Sequence, residues 1–226
     1  MASIQGRMRG AGDIAIALMT LASSIVLAQS APTVRTASGR VSGVTEHGSH
    51  AWLGIPYAAS TAGEGRWKPP APAAAWKDVR DGSKYGPACY QAPPGRFGPY
   101  TAEFTDVGPS VSEDCLSLNV WAPATGGRKL PVLVWIHGGG FFSGSSIDLP
   151  LYDGTRLSRK GDIVVVSLNH RLNVLGFLDL SAYGERYRHS ANVGMLDIVA
   201  ALRWVQANVA RFGGDPANVT IFGQSG

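Results

Sequence analysis

A chain of 226 residues is long enough to bury a sizeable hydrophobic core in one domain. Its composition, 45% hydrophobic and 16% charged, is typical of a folded soluble protein and excludes an intrinsically disordered chain. The net charge of +4 comes from scattered basic residues, not from a Lys/Arg cluster interleaved with aromatic residues, so we expect no nucleic-acid partner.

Residues 1–28 have the pattern of a secretory signal peptide. Arg7 and Arg9 precede the apolar stretch DIAIALMTLASSIVLA, which ends in small residues suited to cleavage after Ala28. We therefore expect a mature domain over residues 29–226 and a secreted or periplasmic protein. The apolar stretch is shorter than the roughly 20 residues of a transmembrane helix, so we predict no membrane span.

The chain contains two cysteines, Cys89 and Cys115. An even pair in an exported chain predicts a disulfide, and two separate buried thiols are the alternative. Since the cysteines have no C-x-x-C spacing, we expect neither a metal site nor a catalytic thiol there.

The mature chain begins with short strands followed by a long loop. Residues 33–56 combine short apolar runs with turn residues such as Ser38-Gly39, which predicts small strands joined by tight turns. Residues 60–105 are rich in proline, glycine and aromatic residues, which predicts a loop with little regular structure. A loop of this length is usually functional or tied down, and Cys89 lies inside it.

Three predicted strands come next. LSLNVWAP at 116–123 is a strand ended by Pro123. KLPVLVWIHGGG at 129–140 and DIVVVSLNHR at 162–171 contain continuous apolar runs of strand length, which fit parallel strands that are buried on both faces.

A helix is predicted between Asn192 and Phe212, because apolar residues recur there at helical spacing. Its apolar face consists of Leu196, Ile198, Val199, Leu202, Trp204, Val205, Val209 and Phe212. Gly213-Gly214 is expected to end the helix, Asp215-Pro216 to form a turn, and NVTIF at 218–222 to form a buried strand. Strands that alternate with helices indicate an α/β sheet.

The last four residues, GQSG, directly follow the NVTIF strand. The other G-x-S matches, at 108–110 and 144–146, do not follow a predicted strand. A serine on a sharp turn after a strand holds its hydroxyl above the sheet edge, and small flanking residues permit the close approach. Ser225 is therefore a candidate nucleophile.

A second glycine-rich segment, HGGG at 137–140, ends an earlier predicted strand. Successive glycines expose backbone N–H groups, and each good donor stabilises the negative oxygen of a tetrahedral intermediate by about 3–4 kcal/mol. A glycine triplet alone is equally compatible with a flexible turn. Its occurrence together with G-x-S-G after a later strand favours an oxyanion hole.

The chain resembles the N-terminal part of a type-B carboxylesterase, the cholinesterase-like branch of the α/β-hydrolases. The matching segments are GIPYA at 54–58, RWKPP at 66–70, SEDCLSLNVWAP at 112–123, PVLVWIHGGGF at 131–141, NHRLNVLGFL at 169–178, NVGMLDIVAALRWVQANVARFGGDPANVT at 192–220 and FGQSG at 222–226. Ser117, His170 and Ile198 depart from the usual family pattern, and none of them is a catalytic position.

The resemblance implies a truncated α/β-hydrolase fold, with a mostly parallel central sheet flanked by helices. It implies that Ser225 is the nucleophile and that Gly138, Gly139 and Gly226 donate oxyanion N–H groups. The acid and the histidine of the triad follow the nucleophile in this family, so they are expected beyond residue 226. The histidines of this chain, all of which precede Ser225 and are rejected as the base, are His47, His50, His137, His170 and His189. For His137, next to the oxyanion glycines, we expect a structural hydrogen-bonding role.

The resemblance also implies two buried structural ion pairs, Arg66–Glu113 and Arg171–Asp197, for which ordinary surface charge is the alternative. It implies no metal and no dissociable cofactor. The expected partner is a small-molecule carboxylic ester.

The sequence is thus compatible with two functions. The first is an exported carboxylesterase, a serine hydrolase whose chain is expected to be inactive by itself because the base is missing. The second is a non-catalytic adhesion or binding protein with the same fold, which the presence of Ser225 and of the intact glycines disfavours.

Overall fold

The computed structural model describes residues 31–92 and 110–226. The predicted signal peptide and residues 93–109 of the predicted loop lie outside these described residues. The strands are β1 (Thr33–Arg35), β2 (Arg40–Ser42), β3 (Val44–Glu46), β4 (Ser49–Pro56), β5 (Val79–Asp81), β6 (Ala88–Cys89), β7 (Val111–Ser112), β8 (Ser117–Pro123), β9 (Leu130–Ile136), β10 (Val164–Leu168) and β11 (Gly214–Gly223).

Helices alternate with the later strands. The α-helices are α1 (Thr155–Gly161), α2 (Asn173–Phe177) and α3 (Val193–Asn208). Short 3-10 helices occupy Gly63–Gly65, Pro150–Tyr152, Ser181–Tyr183, Glu185–Tyr187, Ser190–Asn192 and Val209–Phe212. The predicted N-terminal strands and their turn are confirmed, with Thr36 N–H donating to Gly39 O at 2.8 Å between β1 and β2.

Six strands form the main sheet, in the order β11-β9-β10-β8-β4-β3. β9 lies between β10 and β11 and is parallel to both. β8 is antiparallel to β10 and to β4, and β4 is antiparallel to β3. The α/β architecture is confirmed, and so is the strand predicted at 116–123, which is β8. Two of the five pairings in the described sheet are parallel and three are antiparallel, so this part of the expected mostly parallel sheet is mixed.

The core lies on the faces of this sheet. All five residues of β10 are buried, as are the last six of β8. The largest fully buried apolar side chains are Trp121, Ile55, Leu118, Leu168, Leu172, Val41, Val120, Val132, Val134, Val164 and Val166. The predicted burial on both faces is confirmed for β10, whereas in β9 only Val132 and Val134 are buried. This packed sheet is the rigid support for the loops at its edge.

α3 and the 3-10 helix after it confirm the predicted helix at 192–212. Ile198, Val205 and Phe212 are buried in the same apolar cluster as the sheet residues. Gly213 follows with φ of +91°, the left-handed conformation in which helices commonly end. Val199 is exposed, so the buried face is narrower than predicted.

The helical stretch Glu185–Phe212 is long and apolar enough to cross a membrane by length and composition alone. Half of its most apolar window is buried inside the protein, as in a core helix of a folded domain. We therefore assign this stretch to the core and not to a membrane span.

β11 is an edge strand of the described sheet and pairs with β9. The segment 218–222 is a strand as predicted, but the prediction that it is buried is wrong, because Ile221 is 52% exposed. Val219 and Ile221 line an open groove together with Val199 and Leu202 of α3. The apolar run showed that β11 has side chains suited to burial. No described residue covers the face of β11 that carries Val219 and Ile221.

Cys89 and Cys115 form a disulfide, so the alternative of two separate thiols is wrong. The bond connects β6 to the segment before β8 across a sequence separation of 26 residues. In the described part of the predicted loop, residues 60–92 contain only very short elements, which confirms the loop there.

Candidate active site

Ser225 lies directly after β11, in a backbone conformation that few residues other than glycine adopt. Its φ is +57°, and the preceding strand ends at Gly223. A non-glycine residue in this region costs of order 1–3 kcal/mol, and such strain concentrates at functional sites. The segment 223–226, the elbow, therefore has the sharp turn that a nucleophile after a strand requires.

The glycine loop, residues 137–144, lies against the elbow because the two strands that precede them are parallel neighbours. Ile136 at the end of β9 pairs with Gly223 at the end of β11. Parallel strands bring their carboxyl ends to the same edge of the sheet, which is where ligand sites of α/β sheets occur. A Cβ atom built on Gly138 would lie 3.1 Å from Ser225 Cβ, and it would also collide with Gln224. Glycine at position 138 thus permits this close approach.

The glycine loop turns back on itself beyond Gly138. Gly139 O accepts hydrogen bonds from Phe142 N–H at 3.0 Å and from Ser143 N–H at 3.2 Å. Gly140 N–H donates to Gly226 O, so its amide points at the elbow. An N–H group in this direction can donate to a negative oxygen beside the serine. Sequence reasoning did not select Gly140, although it belongs to the same glycine run.

His137 and His170 form a buried stack behind the glycine loop. Their ring centroids are 4.8 Å apart and their planes differ by 10°. His137 Nδ1–H donates to Gly138 O at 2.8 Å, and His170 Nδ1–H donates to Arg171 O at 3.0 Å. His137 Nε2 is buried and has no hydrogen-bond partner among the described residues. The ring protons of both residues are therefore held by backbone carbonyl groups, which fits a structural role.

Burial keeps both rings of this stack neutral. Desolvation lowers the pKa of His170 to about 4, with a smaller contribution from the neighbouring His137. Desolvation also lowers the pKa of His137 below its ordinary value. A charged imidazole at either position would lose its hydration without gaining a carboxylate partner in the stack.

We expect the free energy of unfolding to decrease as the pH falls from 6.5 towards 4. The unfolded chain takes up a proton on His170 below about pH 6.5, whereas the folded chain does so only near pH 4, so acid favours unfolding. The loss from His170 alone reaches roughly 3 kcal/mol across this window, at no more than about 1.4 kcal/mol per pH unit. Urea unfolding at several pH values between 6.5 and 5 measures the slope.

His170→Gln should flatten that slope, since glutamine can donate to Arg171 O and does not titrate. His47→Gln, on an exposed turn, is the matched control and should leave the slope unchanged. An equal slope in wild type and His170→Gln would contradict the expectation.

The two predicted ion pairs are both formed, but they differ in burial. Arg171 Nε donates to Asp197 Oδ2 at 2.8 Å, and Arg171 Nη2 donates to Asp197 Oδ1 at 2.7 Å. Both side chains are buried. Arg66 Nε donates to Glu113 Oε2 at 2.5 Å, yet the Arg66 side chain is 44% exposed. The prediction that the Arg66–Glu113 pair is buried is therefore wrong. The family resemblance implied which residues pair, whereas the depth of each pair depends on the packing around it.

The remaining histidines, His47, His50 and His189, belong to segments other than the glycine loop and the elbow. His50 is on β4, three strands along the sheet from β9, and its Nδ1 is 2.8 Å from Thr45 Oγ1. His189 accepts from Arg188 Nε at 2.8 Å, next to the 3-10 helix Ser190–Asn192. Within residues 31–92 and 110–226, no group of three or more His, Cys, Asp or Glu side chains could hold a metal ion.

Comparison with known proteins gives one consistent family. The sequence profile of the carboxylesterase family matches residues 30–226. The chain is 49% identical to the para-nitrobenzyl esterase of Bacillus subtilis over 192 residues, which are 85% of this chain and 38% of that protein. It is 44% identical to the fumonisin B1 esterase of Sphingopyxis macrogoltabida, across 96% of this chain and 40% of that protein.

The acetylcholinesterase of Electrophorus electricus is 46% identical, across 88% of this chain and 32% of that protein. Among solved structures, a PNB esterase is 48% identical to this chain and has a TM-score of 0.77. The match covers 85% of this chain and 38% of that structure. The chain thus spans about two fifths of the length of the first two relatives.

Proposed function

The chain belongs to the carboxylesterase family, and we propose that it carries the nucleophile and the oxyanion hole of a serine esterase. The proposed reaction is the hydrolysis of a carboxylic ester through an acyl-enzyme intermediate. One observation carries this proposal: Ser225 has φ of +57° on a turn after a parallel strand, in close approach to Gly138 of the glycine loop.

In the proposed first step, Ser225 Oγ attacks the acyl carbon of the ester and the carbonyl oxygen becomes negative. The N–H groups of Gly138, Gly139 and Gly226 are the proposed donors to this oxygen, and we add Gly140 because its amide points at the elbow. Each good donor stabilises the intermediate by about 3–4 kcal/mol. Gly140 N–H would exchange its bond with Gly226 O for a bond to the negative oxygen. The alcohol then leaves, and water releases the acid from the serine.

Proton transfer in this scheme requires a histidine oriented by a carboxylate. His137 and His170, the buried histidines behind the glycine loop, donate their Nδ1 protons to backbone carbonyls. We propose that the histidine and the carboxylate come from residues after Gly226 in the complete protein. By complete protein we mean the whole product of the gene from which these residues come.

The proposed substrate is a small-molecule carboxylic ester. Relatives are named para-nitrobenzyl esterase, fumonisin B1 esterase and cocaine esterase, so the family members are named for different substrates. We also propose that the protein is exported. The predicted signal peptide supports export, and the Cys89–Cys115 disulfide suits an oxidising compartment outside the cytoplasm.

A fluorophosphonate probe tests the proposed function on the complete protein. The probe phosphonylates an activated serine, so we expect one labelled site in the wild type and no label in Ser225→Ala. Ser181→Ala removes an exposed serine on a 3-10 helix, and this control should label like the wild type. An unlabelled wild type would indicate a non-catalytic binding protein and overturn the proposal.

A further inference from the structure

We propose that Gln91 is a positioning residue for the oxyanion hole, because its buried side chain joins the glycine loop to the backbone beside the disulfide. The inference rests on the proposed esterase function. It assigns a role to a residue that neither the family motifs nor the elbow geometry identifies.

The Gln91 amide forms three hydrogen bonds in a buried position. Its Nε2 donates to Gly144 O at 2.9 Å and to Cys89 O at 3.1 Å. Its Oε1 accepts from Gly144 N–H at 2.8 Å. The side chain thus pairs with both backbone polar groups of Gly144, as a strand neighbour would. Gln91 is only 6% exposed, so water cannot readily replace these bonds.

Gly144 in turn fixes the part of the glycine loop that faces the elbow. It has φ of +107°, and a Cβ atom built on it would collide with Gly138 O. Gly138 O accepts from His137 Nδ1–H at 2.8 Å, and a Cβ atom on Gly144 would also collide with that Nδ1 atom. Gly144 therefore packs directly against the bond between His137 and Gly138, while the α-carbon side of Gly138 approaches Ser225. A shift of Gly144 would remove this packing support from Gly138.

The partner backbone of Gln91 is anchored independently. Cys89, whose carbonyl accepts from Gln91, is bonded to Cys115 and pairs with Ser112 in the β6–β7 ladder. A second side-chain amide connects the same two segments. Asn173 Nδ2 lies 3.4 Å from Tyr90 O, next to Gln91, and 3.4 Å from Phe142 O in the glycine loop. The segment that contains Cys89 and Gln91 is therefore held in place by its own bonds and contacts the glycine loop.

Loss of the Gln91 amide should affect the transition state more than substrate binding. The oxyanion forms only during reaction, so a misplaced donor lowers kcat and leaves KM nearly unchanged. Deleting one oxyanion donor costs about 10²–10³ in kcat, and we expect a displaced loop to cost about 10- to 100-fold.

Gln91→Met in the complete protein is the direct test. Methionine has similar length without amide groups, so Gly144 N–H, Gly144 O and Cys89 O lose their partner. The matched control is Gln206→Met, because Gln206 Nε2 donates to Pro216 O at 2.9 Å on the exposed side of α3. We measure kcat and KM for p-nitrophenyl acetate, and the inhibition constant of a trifluoromethyl ketone whose serine adduct carries an oxyanion.

The expected result for Gln91→Met is a fall in kcat of about 10- to 100-fold, a parallel rise in the inhibition constant, and an unchanged KM. Gln206→Met should leave all three values unchanged. The inference is overturned if Gln91→Met folds and gives the kcat and inhibition constant of the wild type. Failure of the proposed function differs from this outcome, because the wild type itself would then neither hydrolyse the ester nor bind the ketone.

If Gln91→Met does not fold, hydrogen exchange of the wild-type complete protein tests the inference. Gly144 N–H should exchange slowly while Cys89 and Cys115 are bonded, and faster after reduction with a phosphine that leaves the protein folded. Fast exchange of Gly144 N–H in the oxidised protein would overturn the inference.

Discussion

The 226 residues expressed alone are expected not to hydrolyse short-chain p-nitrophenyl esters, although they contain Ser225. A serine hydroxyl is a poor nucleophile at neutral pH unless a positioned base takes its proton. Among the described residues, His137 and His170 give their Nδ1 protons to backbone carbonyls, and His50 lies on a distant strand. Removal of the catalytic histidine from a serine hydrolase costs about 10⁶-fold in kcat, and we expect a deficit of that order.

The elbow and β11 add to this expectation. Ser225 has a costly positive φ, which persists only where surrounding structure enforces it. The edge of β11 exposes Ile221, and a long apolar edge strand promotes association between chains. We therefore expect the isolated chain to aggregate as well as to lack activity.

The measurement compares p-nitrophenyl acetate hydrolysis by the purified 226-residue chain, its Ser225→Ala variant and the complete protein. The first two should release nitrophenol at the same background rate. Serine-dependent turnover of order 1 s⁻¹ by the chain alone, the low end for ordinary enzymes, would show that its own residues supply the base.

Replacing Asp197 by alanine is expected to destabilise the complete protein by about 3–5 kcal/mol, because it leaves the buried Arg171 guanidinium without its partner. Asp197 accepts from the backbone N–H of Arg171 at 3.0 Å in addition to the two side-chain bonds. Burial raises the pKa of Asp197, and its bonds with Arg171 act in the opposite direction. Arg171 also donates to Lys68 O at 2.9 Å, so the pair ties α3 to the loop before β5.

Urea unfolding of the complete protein measures this loss. The control is Glu185→Ala, which breaks the exposed Glu185–Arg188 pair at 2.7 Å and should leave the stability within error. Arg171→Met combined with Asp197→Ala should recover part of the loss, since no unpaired charge then remains buried. Equal stabilities for Asp197→Ala and Glu185→Ala would contradict the buried pair.

Periodicity and glycine placement were sufficient to predict the parts of the fold that position the site. The runs at 129–140 and 162–171 contain β9 and β10. The helical spacing at 192–212 corresponds to α3 and the 3-10 helix that follows it. HGGG and GQSG were predicted to follow strands, and they meet because those strands are parallel neighbours. Each of these inferences depends on local residue order, which the sequence contains directly.

The predictions that failed depend on neighbours that local order does not specify. The sequence indicated that β8 is a strand, but its antiparallel direction is set by the connections between strands. The exposure of Ile221 and of Arg66 depends on what covers those surfaces. Gln91 lies 53 residues before Gly144, and no spacing rule connects a single glutamine to a glycine loop at that distance.

The most direct test of the central claim is to trap the acyl-enzyme. The complete protein is mixed with p-nitrophenyl acetate, quenched in acid during the first turnover, digested, and mapped by mass spectrometry. We predict a burst of about one equivalent of nitrophenol per chain and an acetyl group on Ser225. Turnover without a burst, or an acetyl group on another residue while Ser225 stays unmodified, would contradict the assignment of Ser225 as the nucleophile.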